Sequence, residues 1–115
     1  MKARILIVGD DPVLLHTRAE LLRDWQIVTA SSRDASEAMH AQNYDLLIFS
    51  QTVQEKVVRN LIGQAHELDP APRILAIDSG KERHFGSAMY QAELSNPGGL
   101  RLAVARMLDS APTSS

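Results

Sequence analysis

Short apolar stretches with no polar interruption recur along this chain, and between them lie segments of helical period. "RILIV" at residues 4–8, "YDLLIFS" at 44–50 and "RILAID" at 73–78 are the clearest, and "QIVTA" at 26–30 reads as a shorter strand. A strand that is apolar at consecutive positions is buried on both faces, whereas a half-exposed strand alternates. Helices must therefore cover each side of the sheet these stretches build.

The intervening segments supply those helices. Asp11-Pro12 reads as a helix start, with aspartate as N-cap and proline at the first helical position. Leu14, Leu15, Arg18, Leu21 and Leu22 then follow helical spacing to about residue 23. A second helix opens at Ser32 or Arg33, carries Ala35, Ala38 and Met39, and ends near Asn43. A third covers residues 53–68 with Val57, Val58, Leu61, Ile62 and Ala65 facing inward, and Asp69-Pro70-Ala71-Pro72 stops it. After the fourth strand come a loop, a short helix at residues 83–90, and a short edge strand at 92–94. Pro97-Gly98-Gly99 opens a last helix with Leu100, Ala103, Val104, Met107 and Leu108 on one face. Strand and helix alternate five times, which implies an α/β fold with a parallel sheet, right-handed crossovers and helices on both faces.

With 115 residues the chain fits one domain, expected over residues 1–109, with 110–115 as a flexible polar tail. Hydrophobic residues make up 44% of it, enough for a core. A net charge of −2 with interspersed signs gives no footprint for nucleic acid or an anionic membrane. Without cysteine there is no disulfide, no thiolate nucleophile and no thiolate-bound zinc. His16, His40, His66 and His84 lack metal-ligand spacing and read as surface residues, and Trp25 reads as packing at the end of the first helix. No signal-peptide pattern or membrane-length run is present, so a cytoplasmic location is the default expectation.

In a sheet of this kind ligands and chemistry gather at the C-terminal ends of the strands. The residues there are Gly9, Asp10 and Asp11 after the first strand and Ser50, Gln51 and Thr52 after the third. Asp78 and Ser79 follow the fourth, and Ser95, Asn96 and Pro97 the fifth.

Together "RILIVGDDPVLL", "YDLLIFS", "RILAIDSG" and "LSNPGGLRLAVARML" resemble the response-regulator receiver domain of two-component signalling, over nearly the whole chain. The resemblance implies a CheY-like, flavodoxin-like (βα)5 sandwich of three layers with strand order 2-1-3-4-5. It also implies a phosphorylation pocket, and here the departures are informative. Where the family has two acids that help hold Mg²⁺, this chain has Gly9 and then Asp10. Ser50 stands at the phosphoacceptor aspartate, and Asp78 stands where a Ser or Thr bonds the phosphoryl group, with Ser79 one place on. Asn96-Pro97 replaces the Lys-Pro whose lysine pairs with phosphate, and its peptide bond is expected to be cis, as is common in the family. The segment between Asp78 and Asn96 is shorter than usual.

A serine hydroxyl without a base is a poor nucleophile, and Mg²⁺ wants several oxygen ligands, usually more than one carboxylate. Gly9, Asp10, Asp11, Ser50, Asp78, Ser79, Asn96 and Pro97 therefore read as a degenerate phosphorylation pocket with no catalytic residue. No cofactor is expected. Mg²⁺ binding is expected to be weak or absent; Asp10, Asp11 and Asp78 could form an acidic pocket, with Asp10 and Asp78 the weak candidate ligands and Asp11 read as the cap of the first helix. The implied function is a pseudo-receiver, not an enzyme, that works as a phosphorylation-independent protein–protein interaction module. Its output is expected to pass to a signalling protein or to a second copy of the chain. Met89, Tyr90 and Leu94, with the last helix, fall on the face receiver domains use for partners.

Two readings of other classes compete. A flavodoxin-like small-ligand or metal-binding domain would use the same strand ends, but Asp10 and Asp11 would repel a phosphate. A cryptic hydrolase would use Ser50 with His84 and Asp78, although no Gly-x-Ser-x-Gly elbow surrounds the serine.

Overall fold

The computed structural model describes residues 3–50, 52–69, 71–78, 89–93, 101, 104–106 and 108. The chain runs β1 (Arg4–Val8), α1 (Pro12–Leu21), β2 (Gln26–Ala30), α2 (Ala35–Ala41), β3 (Leu46–Phe49), α3 (Glu55–His66), β4 (Arg73–Asp78) and β5 (Met89–Glu93). The strands form one sheet in the order β2-β1-β3-β4-β5, and every neighbouring pair is parallel. The parallel pairing is what the alternation of strand and helix implied, and the order is the one the resemblance implied.

Side chains alternate across this sheet and build two cores. Leu6, Val8, Leu47, Phe49, Ile74 and Ala76 join Met39 of α2 and Val58, Leu61, Ile62 and Ala65 of α3. On the opposite face Ile5, Ile7, Leu46, Ile48, Leu75 and Ile77 pack with Leu22, Leu15, Leu21 and Trp25, and with Val104 and Leu108 near the C-terminus. Strands apolar at every position are thus accounted for by helices on both sides. Arg101, also helical, forms an ion pair with Asp24 and lies over the Trp25 ring at 5.9 Å from its centroid, tying the C-terminal helical residues to the α1–β2 connection.

Parity fixes where Ser50 points. Leu46 and Ile48 face α1, so the next residue of that set, Ser50, does too, while Phe49 faces α2 and α3. The backbone of Ser50 is held by its N–H, which donates to Val8 O at 2.8 Å.

One element differs from the sequence expectation. Met89 and Tyr90, expected at the end of a short helix over residues 83–90, are the first residues of β5, which begins three residues before the edge strand expected at 92–94; residues 83–88 and Leu94 lie outside the described residues. "SAMYQAE" is rich in helix formers, but pairing along β4 from Ile74↔Met89 to Asp78↔Glu93 overrides that preference.

Candidate functional site

The C-terminal ends of β1 and β3 meet in a small polar cluster. Asp11 starts α1 as its N-cap: its Oδ1 accepts from the N–H groups of Val13 at 3.0 Å and Leu14 at 3.3 Å, and Pro12 follows. The helix begun there delivers Arg18 to the sheet. Arg18 belongs to the inward series with Leu14, Leu15, Leu21 and Leu22, so its guanidinium is carried under the strand ends rather than into water.

Arg18 and Ser50 are the two buried polar or charged side chains among the described residues, at 5% and 1% exposure. They are bonded to each other: Arg18 Nη1 donates to Ser50 Oγ at 2.7 Å. Thr52 adds two donors to the same oxygen, its hydroxyl at 3.2 Å and its backbone N–H at 3.4 Å. Thr52 Oγ1 in turn accepts from the N–H of Asp10 at 3.0 Å. Asp10 Oδ1 accepts from the N–H of Ser32 at 2.9 Å, beyond β2. A continuous hydrogen-bonded chain thus runs Ser32, Asp10, Thr52, Ser50, Arg18 and crosses the ends of three adjacent strands.

Gly9 makes the close packing here feasible. A Cβ at this position would meet Ser50 Cβ at 2.9 Å and Leu15 Cδ2 at 3.1 Å. The first of these is closer than carbon atoms of this kind tolerate, so β1, β3 and α1 converge only around a residue without a side chain.

The electrostatics centre on Arg18. Burial pushes its guanidinium pKa down, and the nearby carboxylate of Asp11 opposes that shift. Asp10 is exposed, and its carboxylate accepts from the backbone N–H of Ser32. Among the described residues no three His, Cys, Asp or Glu side chains are grouped so as to hold a metal ion.

Gly9, Asp10, Asp11 and Ser50 are brought together as the strand order implied. Asp78 is the last residue of β4 and pairs in register with Glu93. Ser79, His84, Leu94, Asn96 and Pro97, with the expected cis bond, lie outside the described residues. Met89 and Tyr90, expected on a partner face at a helix end, lie in β5. His16, His40 and His66 are exposed, and Trp25 packs beside α1, as expected. The residue the sequence reading left without a role is Arg18. Its signal was a charged side chain at an inward position of an otherwise apolar series.

No family model matches this chain, and no curated protein matches it either. Solved structures do. A CheY-like response regulator receiver domain protein from Methanospirillum hungatei superposes with a TM-score of 0.81 at 19% identity, over 100% of both chains. A CheY-like receiver domain from Methylobacillus flagellatus gives 0.74 at 21% identity, over 93% of this chain and 99% of the other. The chemotaxis protein CheY4 of Vibrio cholerae gives 0.75 at 19% identity, over 94% of this chain and 100% of the other. The chain has the fold of a CheY-like response-regulator receiver domain.

Proposed function

We propose that this chain is a pseudo-receiver: a receiver-fold module of two-component-type signalling that engages a protein partner without aspartyl phosphorylation and without catalysing a reaction. The observation that carries this reading is the state of Ser50. It stands at the end of β3, where the resemblance puts the phosphoacceptor, and it is 1% exposed with an arginine N–H on its oxygen. A phosphoryl donor must reach the acceptor atom in line, and a buried hydroxyl gives it no approach. Gly9 supplies no carboxylate beside it, and the close packing around Gly9 leaves no room for one. The same burial weighs against Ser50 as the nucleophile of a hydrolase. The carboxylates of Asp10 and Asp11 weigh against a phosphate-bearing ligand at this edge.

The deciding experiment is an amide-shift titration of the protein by NMR, first with Mg²⁺ and then with beryllofluoride, an acyl-phosphate mimic. The expected outcome is no saturable shift at Gly9, Asp10, Ser50 or Thr52. Saturable shifts at those residues would overturn the reading.

A further inference from the structure

We propose that Arg18 is the resident cation of this pocket: its guanidinium, seated on Ser50, takes the place of a divalent ion and holds the strand ends in one metal-independent arrangement. The inference deepens the pseudo-receiver reading and rests on it.

The placement of Arg18 is unusual. A guanidinium is almost never buried unless it is matched by acceptors and by negative charge. Here the acceptor is Ser50 Oγ at 2.7 Å, and the charge is Asp11, whose field acts against the desolvation of Arg18. An aliphatic residue on the same face of α1 would satisfy the core between Leu15, Leu21 and Leu22 more simply. The fold instead carries a positive group to the C-terminal edge of β3.

Among the described side chains, the donor set does not fit a divalent cation. Such ions bind about six oxygens, with carboxylates foremost. Gly9 offers no oxygen from a side chain, Ser50 Oγ takes N–H and O–H donors, and Asp10 Oδ1 takes the Ser32 N–H. A second cation would also be repelled by the guanidinium itself. Neutral residues at positions 9 and 50 and a cation at position 18 therefore form one exchange: carboxylates leave the pocket, and a cation that cannot dissociate enters it.

If Arg18 fills a cation's place, a carboxylate introduced at position 50 pairs with it, and the pocket accepts a metal only once the guanidinium is removed. The test follows Mg²⁺ dependence of thermal unfolding and amide shifts in the wild type, Ser50→Asp, and the double variant Arg18→Gln with Ser50→Asp. The wild type and Ser50→Asp are expected to be indifferent to Mg²⁺. The double variant is expected to gain about 4 °C or more in its midpoint at saturating Mg²⁺, with shifts at Asp10 and Thr52. Equal responses in Ser50→Asp and the double variant, or no response in the double variant, would overturn the proposal. Should the double variant fail to fold, Ser50→Asp against Ser50→Asn decides with Arg18 in place. A resident cation makes the aspartate variant the more stable of the two, and the reverse order sinks the idea. A wild type that takes up Mg²⁺ and beryllofluoride would instead defeat the pseudo-receiver reading itself, whatever the variants do.

Discussion

Arg18 Nη1 lies 2.7 Å from Ser50 Oγ, across a helix–sheet interface in which both side chains are buried. The stem of Arg18 packs as an apolar residue would, and its head is bonded, so charge and packing can be separated by mutation. Arg18→Ala removes both and leaves a cavity, with an expected loss of about 2–4 kcal/mol in urea unfolding. Arg18→Met keeps the stem and drops the cost of a desolvated cation, and is expected within about 1 kcal/mol of the wild type. Equal losses in the two variants would mean that the hydrogen bond, not the packing, holds this interface.

Gly9 is fixed by proximity to Ser50 rather than by backbone conformation. Gly9→Ala forces its new methyl to within 2.9 Å of Ser50 Cβ, so β3 or α1 must move. A loss of about 1–3 kcal/mol is expected, as for other overpacked core sites. Combining it with Ser50→Gly removes the opposing atom, and the steric part of the loss should be recovered relative to the sum of the single variants. A strictly additive double-mutant cycle would show that the two positions do not touch.

Much of this architecture was legible because burial on both faces leaves an unmistakable trace. "RILIV" and "RILAI" have no polar face, so they had to lie between helix layers, and their parity then assigns Ile5 and Ile7 to one core and Leu6 and Val8 to the other. Asp11-Pro12 marked the start of α1 to the residue, since cap chemistry is local. The ends of α2 were less sharp: the helix begins at Ala35 and ends at Ala41, inside the expected limits, because Asp34 makes a turn with Ser31 rather than a side-chain cap. Met89 and Tyr90 read as helix because their neighbours favour helix locally, and only pairing with β4 makes them a strand.

The site was half legible for a related reason. Gly9, Asp10, Asp11 and Ser50 sit next to strand ends, so topology alone brings them together. Arg18 is far from any strand end in sequence and arrives through helix geometry, three and four residues beyond Leu15 and Leu14. A charged residue in an inward series carried the information, but its target is a tertiary contact across 32 positions of chain.

The opposite end of the sheet offers a control for these effects. Asp45 precedes β3; its Oδ2 accepts from the N–H of Arg4 at 2.8 Å, and its backbone bonds both Arg4 and Arg73. Asp45→Ala loses the side-chain bond alone and is expected to cost about 1 kcal/mol. Amide shifts at Ser50 and Thr52 should stay unchanged in this variant. Movement of those shifts would mean that the two ends of the sheet are coupled.

The pH dependence has a definite sign. The pKa of Arg18 is lower in the folded protein than in the unfolded chain, chiefly through desolvation. Below the folded pKa the group is charged in both states, so its unfavourable contribution is constant. It is relieved only as pH climbs through the folded pKa, far above neutral for a guanidinium. The difference in unfolding free energy between Arg18→Met and the wild type is therefore expected to be flat from about pH 6 to pH 9. An inflection in that window, followed by urea unfolding, would mean that some other group titrates against this pair.

Asp11 acts on α1 in two ways, and a pair of variants separates them. As N-cap it accepts from Val13 and Leu14, and as a carboxylate it supports the charge on Arg18. Asp11→Ala removes both and is expected to cost about 1–2 kcal/mol. Asp11→Asn keeps an acceptor at the cap and loses only the charge, so it should cost clearly less. The residual cost of the asparagine variant should shrink further when Arg18 is already methionine, because the carboxylate then has no buried cation to support. Were the asparagine variant as damaging as the alanine one, and indifferent to Arg18→Met, the cap would depend on charge at the helix start and Asp11 would have no part in holding Arg18.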